Sequence, residues 1–212
     1  GTNKKLILLI GQSNAANEVK SSNYKSNHNL NLYNDNCYLL SNPVLGATGN
    51  KDNISVAISN YLKNKNYIFL TAAWSGSSIL DWGSNKFSHL SFYVVNQLNF
   101  YNKKYNIDYI IWIQGEADMK LYDNLDIDQG PIFFQENGRE YYYVEAFKEM
   151  LKNLKPFLTE KTKIILTRTS ICNSKKSENI NTQQEMIAEL SNNYYIIENT
   201  DNLNNNFRYD NC

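Results

Sequence analysis

Five short apolar runs, separated by segments of helical spacing, constrain this chain more than any other feature. The runs lie at residues 5–10, 67–72, 107–113, 163–167 and 194–197, each four to seven residues long and free of internal polar alternation. A run of that kind reads as a strand buried on both faces. Between them, Ile54, Ala57, Ile58, Tyr61 and Leu62 recur at helical intervals, as do Leu90, Val94, Gln97, Leu98 and Tyr101. Val144, Phe147, Leu151 and Leu154 mark a further helix that Pro156 ends, and Ile180, Gln184, Ile187 and Leu190 a weaker one. Strands alternating with amphipathic helices imply a parallel sheet with helices over both faces. The expected fold class is therefore α/β, a three-layer α/β/α sandwich around a central, mostly parallel five-stranded sheet. Residues 14–36 are polar and read as a surface excursion, with a short strand at 37–40 before Pro43.

The 212 residues suit one domain, 1–212, large enough to bury a core, and no repeat or linker interrupts them. Basic and acidic side chains balance at 21 each, which excludes a charge-driven nucleic-acid or anionic-membrane partner. No run is long enough to span a bilayer and no signal peptide is visible, so a soluble protein of open compartment is expected. Cys37, Cys172 and Cys212 form an odd set without metal-ligand spacing, and no metal or other cofactor is expected. Asp123, Asp126 and Asp128 lack the spacing of a calcium loop and read as a solvated wall or lid. The abundance of asparagine reads as a compositional bias, and Asn53-Ile54-Ser55 is a glycosylation sequon. The oligomeric state is not encoded in any of these features.

In a parallel sheet, ligands sit beyond the carboxyl ends of the strands. The polar, glycine-containing segments fall there. Gly11-Gln12-Ser13-Asn14 follows the first run, Trp74-Ser75-Gly76 the second, and Gln114-Gly115-Glu116 the third. A serine on a tight turn after a buried strand, at the start of a helix, is placed as a nucleophile, with backbone N–H groups and the helix dipole favouring an oxyanion. Taken alone, the same four residues also describe a helix cap followed by a turn. Gly76 is placed to donate a second backbone hydrogen bond and Gln114 a third from its side-chain amide. Glu116 reads as an acceptor for loop donors or as a charged member of the site. Trp74 and Trp82 offer stacking surface for a sugar, although core packing reads equally well for both.

Gly11-Gln-Ser-Asn14, the Gly76 segment with Trp82, and Trp112-Ile-Gln-Gly-Glu-Ala-Asp118 together resemble the sialate O-acetylesterase and acetylxylan-esterase-like branch of the SGNH (GDSL-like) hydrolases. The resemblance runs in order through the whole chain and implies a flavodoxin-like fold and a serine carboxylic-ester hydrolase. The implied activity is removal of O-acetyl groups from sialic acid or another acetylated carbohydrate through an acyl-enzyme on Ser13. Ser13, Gly76 and Gln114 form the implied oxyanion hole, supported by Gly11, Gln12, Asn14 and Glu116. The family carries its aspartate and histidine in a late Asp-x-x-His motif. Asp210 matches the aspartate, and the histidine is expected just after Cys212, so the chain reads as a domain truncated at its C-terminus. His28 and His89 read as exposed or capping residues. The same serine would serve an O-acyltransferase, in which a sugar hydroxyl replaces water. A non-catalytic glycan-binding module lacking its histidine is the remaining alternative.

Overall fold

A computed structural model of the chain describes residues 4–20, 28–62, 66–84, 88–99, 106–119, 141–170 and 178–198. The elements in order are β1 (Lys5–Gly11), β2 (Leu30–Tyr33), β3 (Asn36–Leu39), α1 (Ile54–Tyr61), β4 (Tyr67–Ala73), α2 (His89–Asn99), β5 (Ile107–Ile113), α3 (Tyr142–Leu154), β6 (Lys163–Thr167), α4 (Glu178–Ala188) and β7 (Tyr194–Ile197). They build one seven-stranded sheet of order β3-β2-β4-β1-β5-β6-β7. Every pairing is parallel except β2 with β3. The five strands expected from the sequence lie side by side as β4-β1-β5-β6-β7, in flavodoxin-like order. Two further strands lie at one edge: β3, within a residue of the short strand expected at 37–40, and β2, which the sequence pattern does not place.

Strand β1 shows why the sheet is buried on both sides. Its alternate residues Leu6, Leu8 and Ile10 enter one apolar cluster with Trp82, Trp112, Phe147 and Leu154. Ile7 and Leu9 enter the other, with Val56, Phe69 and Val44. Successive side chains of a strand point to opposite faces, so one uninterrupted apolar run serves two layers. Burial of each such side chain stabilises the fold by roughly 1.5–3 kcal/mol. Helices α2, α3 and α4 cover the first face and α1 covers the second.

The extra strand β2 lies within the segment 14–36 that the sequence presents as a surface excursion. Its residues Asn31 and Leu32 are buried, and it pairs with β4. The Asn31 side chain makes this possible. It accepts from Leu45 N–H at 2.8 Å and donates to the Phe69 and Leu45 carbonyls at 3.3 Å, so the buried amide is satisfied by backbone. Among the described residues, no helix is long and apolar enough to cross a membrane.

Candidate active site

The order of the sheet places the candidate residues together. β1 lies between β4 and β5, so the segments leaving its two neighbours flank the turn that leaves β1. The chain builds β2 and β4 on one side of β1 and then crosses to β5 on the other. That reversal of direction is where doubly wound sheets open a crevice.

Gly11 closes β1 against both neighbours. Trp74 N–H donates to Gly11 O at 3.1 Å and Gln12 N–H donates to Ile113 O at 3.0 Å. Beyond it, the N–H groups of Ala15 and Ala16 both donate to Gln12 O, which makes one turn bearing Ser13. The sequence suggests a helix here; the structure has a single turn. The chain leaves it at Asn17, whose side chain donates to Val44 O and Ala47 O and accepts from Val44 N–H. Those three bonds draw the chain across to the residue 44–49 loop before a helix can propagate. Local turn N–H groups, not a helix dipole, therefore supply the positive potential at Ser13.

Ser13 is half-buried, and Gly76 is exposed at the end of the adjacent strand. Among the described residues, neither the Ser13 nor the Gly76 backbone N–H donates to a protein acceptor. Gly76 has φ +77 and nothing within 4 Å of the place a Cβ would occupy. Gly76 therefore faces open space beside the serine turn.

Gln12 and Gln114 lie behind this surface. Gln12, 3 % exposed, accepts through Oε1 from Ala117 N–H at 3.0 Å and from Gly115 N–H and the Gln114 amide at 3.4 Å. The Gln114 amide is turned inward, with Nε2 donating to Ser77 O at 3.2 Å and to Asp118. Its Oε1 accepts from the Tyr143 hydroxyl at 2.7 Å, and Trp112 Nε1 donates to that hydroxyl at 3.0 Å. In this arrangement Gln114, 1 % exposed, clamps the two flanking segments together, and its amide is not turned outward as the third oxyanion donor expected from the sequence. Asn14 donates to Glu116 Oε1 at 3.3 Å, a second tie between the turn after β1 and the segment after β5.

The two tryptophans separate. Trp82 is fully buried, packs edge-on to Trp112 with centroids 5.5 Å apart, and donates from Nε1 to Ser77 Oγ at 3.3 Å. It is a core residue and offers no stacking face to a ligand, a correction that follows from its packing between helix and sheet. Trp74 is partly exposed and stands edge-on to Tyr93 at 4.9 Å. His28 is exposed, and His89 sits at the start of α2 with Nδ1 4.0 Å from Asp81 Oδ1. Asp210, Asp201, the acidic segment with Asp123, Asp126 and Asp128, Phe133, Phe134, Cys172 and Cys212 lie outside the described residues.

Two buried residues brace these segments in ways the sequence pattern does not give. Asn53 is 1 % exposed and caps α1 by accepting from Ser55 N–H at 2.9 Å, while its amide donates to Ala15 O at 2.9 Å. The sequon is thus used inside the protein, where it braces the serine turn from below. Asn53→Ala removes a cap worth about 0.5–2 kcal/mol and leaves the Ala15 carbonyl without its donor, at about 1–3 kcal/mol. A loss of roughly 2–4 kcal/mol is expected in urea unfolding, with the midpoint displaced and the slope unchanged.

The other is Asp118, the last residue of the Trp112–Asp118 string. It is 0 % exposed, accepts from Ile79 N–H at 2.9 Å and from the Gln114 amide, and takes the Tyr142 hydroxyl at 3.3 Å. Burial pushes its carboxyl up from the usual 3.8 to about 7, against the opposing pull of those three donors. The folded state therefore keeps this proton in a window where the unfolded chain has lost it. Stability from this group is full below pH 3.8 and falls as pH rises toward 7. The stability difference between the natural protein and Asp118→Asn is expected to shrink over that window by an amount on the order of 4 kcal/mol. Denaturant unfolding at pH 4, 5.5, 7 and 8 measures it, and parallel curves for the two proteins would refute it.

No protein-family model matches this chain, and no curated protein sequence does. Solved structures do. A protein from Arabidopsis thaliana is 18 % identical, with a TM-score of 0.62 over 92 % of this chain and 86 % of that one. A carbohydrate acetylesterase from Xanthomonas citri is 14 % identical, with a TM-score of 0.55 over 92 % of this chain and 49 % of that one. A family two carbohydrate esterase from Clostridium thermocellum is 13 % identical, with a TM-score of 0.50 over 94 % of this chain and 54 % of that one. The chain shares its fold with carbohydrate esterases. It spans about half the length of the Xanthomonas and Clostridium proteins. Identity this low relates the folds, and a fold by itself carries no chemistry.

Proposed function

We propose that this protein is a serine-dependent O-acetylesterase acting on an acetylated glycan. The observation that supports the reading most is local: Ser13 stands on a tight turn at the ends of adjacent strands, with its own N–H and that of Gly76 directed at no protein acceptor among the described residues. In this reading Ser13 Oγ adds to the acetyl carbonyl while a histidine removes its proton. The carbonyl oxygen becomes an oxyanion held by the two N–H groups. The tetrahedral intermediate expels the sugar oxygen, which takes the proton back from the histidine. Water then enters by the same route and releases acetate, restoring Ser13. Gln12, Asn14, Gln114 and Glu116 hold the two flanking segments in register with the turn, and Trp74 borders the sugar.

The base and its orienting aspartate are assigned to the C-terminal segment, with Asp210 as the aspartate and a histidine following Cys212. No metal enters this chemistry. Acetylated sialic acid and acetylated xylan are the substrates the sequence resemblance favours. The test measures acetate release from both, in this chain and in one extended past Cys212. Labelling of Ser13 by a fluorophosphonate accompanies it. Activity and labelling that appear on extension support the reading. Absence of both in a folded, extended protein sinks it.

A further inference from the structure

The segment that carries Gly76 is fastened before the glycine by Thr48, whose Oγ1 accepts from Ser75 N–H at 2.9 Å, and after it by residues that include two on the far side of the Ser13 turn, Gln114 and Asp118. Ser77 O accepts from the Gln114 amide at 3.2 Å, and Ser77 Oγ lies 3.5 Å from Gly11 O as its donor. Ser78 N–H donates to Asp81 Oδ2 at 2.8 Å, closing the 3-10 turn at Ile79–Asp81 (residues 79–81). Ile79 N–H donates to Asp118 at 2.9 Å. Asp118 thus holds both the Gly76 segment, through Ile79, and the Gln114 amide that grips Ser77. No other described side chain bonds to both.

We propose that Asp118 is the positioning residue of the oxyanion donor, fixing the Gly76 N–H relative to Ser13 through Ile79 and Gln114. The inference rests on the reading of Gly76 as a donor to the substrate. A carboxylate suits the task because it only accepts, and two N–H donors and one hydroxyl converge on it. An amide in its place would present its own N–H to one of those donors. Ionisation strengthens each of these bonds, so the segment is held most firmly once Asp118 has lost its proton. The groups facing Asp118 are Tyr142 and Tyr143 from α3, Asp81 from the 3-10 turn and Gln114 from the end of β5, with Glu116 on its own turn. His89 of α2 stands behind Asp81. Burial opposes ionisation most strongly and Asp81 adds to it, while the Gln114 amide, the Ile79 N–H and the Tyr142 hydroxyl favour it.

The experiment follows the Gly76 and Ile79 amide resonances of ¹⁵N-labelled protein through a pH titration, in the natural chain and in Asp118→Asn. Both amides are expected to move with one shared midpoint, and neither to do so in the variant. Movement of Ile79 with a static Gly76 overturns the proposal, as does a Gly76 shift that survives in Asp118→Asn. If Asp118→Asn does not fold, Tyr142→Phe takes its place; it removes one bond to the carboxyl and should displace the shared midpoint upward. An unmoved midpoint then overturns the proposal. On the extended chain, Asp118→Asn is expected to lower kcat at least tenfold with KM within twofold. A fall matching only a loss of folded protein would leave Asp118 a structural residue and overturn its positioning role. Coupled amides in a protein without ester hydrolysis would retain the positioning and remove the esterase reading, so the two fail separately.

Discussion

Ser13→Ala is expected to reduce acetate release by a factor on the order of 10⁴–10⁶ while leaving the fold intact. Removal of a nucleophile does not abolish everything a hydrolase site does, because the oxyanion donors and the sugar contacts persist. What remains in serine hydrolases stripped of a triad member is roughly 10³–10⁴-fold over water. Both proposed donors are backbone N–H groups, so the substitution leaves them in place. The serine turn is closed by Ala15 and Ala16 N–H on Gln12 O, bonds in which the Ser13 side chain takes no part. Alanine fits that turn, and the melting temperature should move by no more than a degree or two. The decisive pair of measurements is kcat/KM on an acetylated sugar and fluorophosphonate labelling. Retention of either at the natural level would show that Ser13 is not the nucleophile.

The central strands and the helices between them were readable because each carries its own pattern. Helices α1, α2, α3 and α4 begin and end within two or three residues of where their spacing places them, and β7 coincides with the expected run. So was the convergence of the three polar segments, which needs only the direction of a parallel sheet and the position of β1 between β4 and β5. What was not readable has a common physical cause. The Asn-rich composition looks like solvent-facing sequence, yet Asn17, Asn29, Asn31 and Asn53 are each 1–2 % exposed. A buried asparagine is stable only where two or three backbone partners surround it, and those partners are remote in sequence. Asn31 meets Leu45 and Phe69, and Asn53 meets Ala15. No window of local pattern contains that information. It is why β2 reads as excursion and why the serine turn reads as a helix start.

Asp118 and Trp82 illustrate the same limit from the other direction. Both belong to strings whose residue types suggest a site, and both prove to be fully buried. Trp82 supports Ser77 from beneath and Asp118 supports Ile79. A motif read from sequence therefore mixes exposed residues with buried ones that hold them in place. Burial separates them, and burial is a property of the assembled sheet.

Gly11→Ala is expected to damage the fold severely, and its comparison with Gly76→Ala isolates the reason. Both glycines have positive φ, +145 and +77, so alanine at either position carries backbone strain of about 1–3 kcal/mol. At Gly76 that is the whole effect, because a Cβ would meet nothing within 4 Å. At Gly11 the Cβ would stand 2.0 Å from Ile113 O and 2.6 Å from its carbonyl carbon. Those atoms are backbone of the neighbouring central strand, and Ile113 O also receives Gln12 N–H. They cannot withdraw without parting β1 from β5 at the point where the serine turn begins. Overpacking of a rigid interior typically costs another 1–3 kcal/mol, and a backbone obstacle lies at the upper end. A destabilisation of about 4 kcal/mol or more is therefore expected for Gly11→Ala, enough to unfold many domains of this size. Gly76→Ala should remain folded, lose about 1–3 kcal/mol, and show its main effect on kcat through a displaced N–H. Equal unfolding midpoints for the two variants would show that the close approach of β1 to Ile113 is not what requires glycine there.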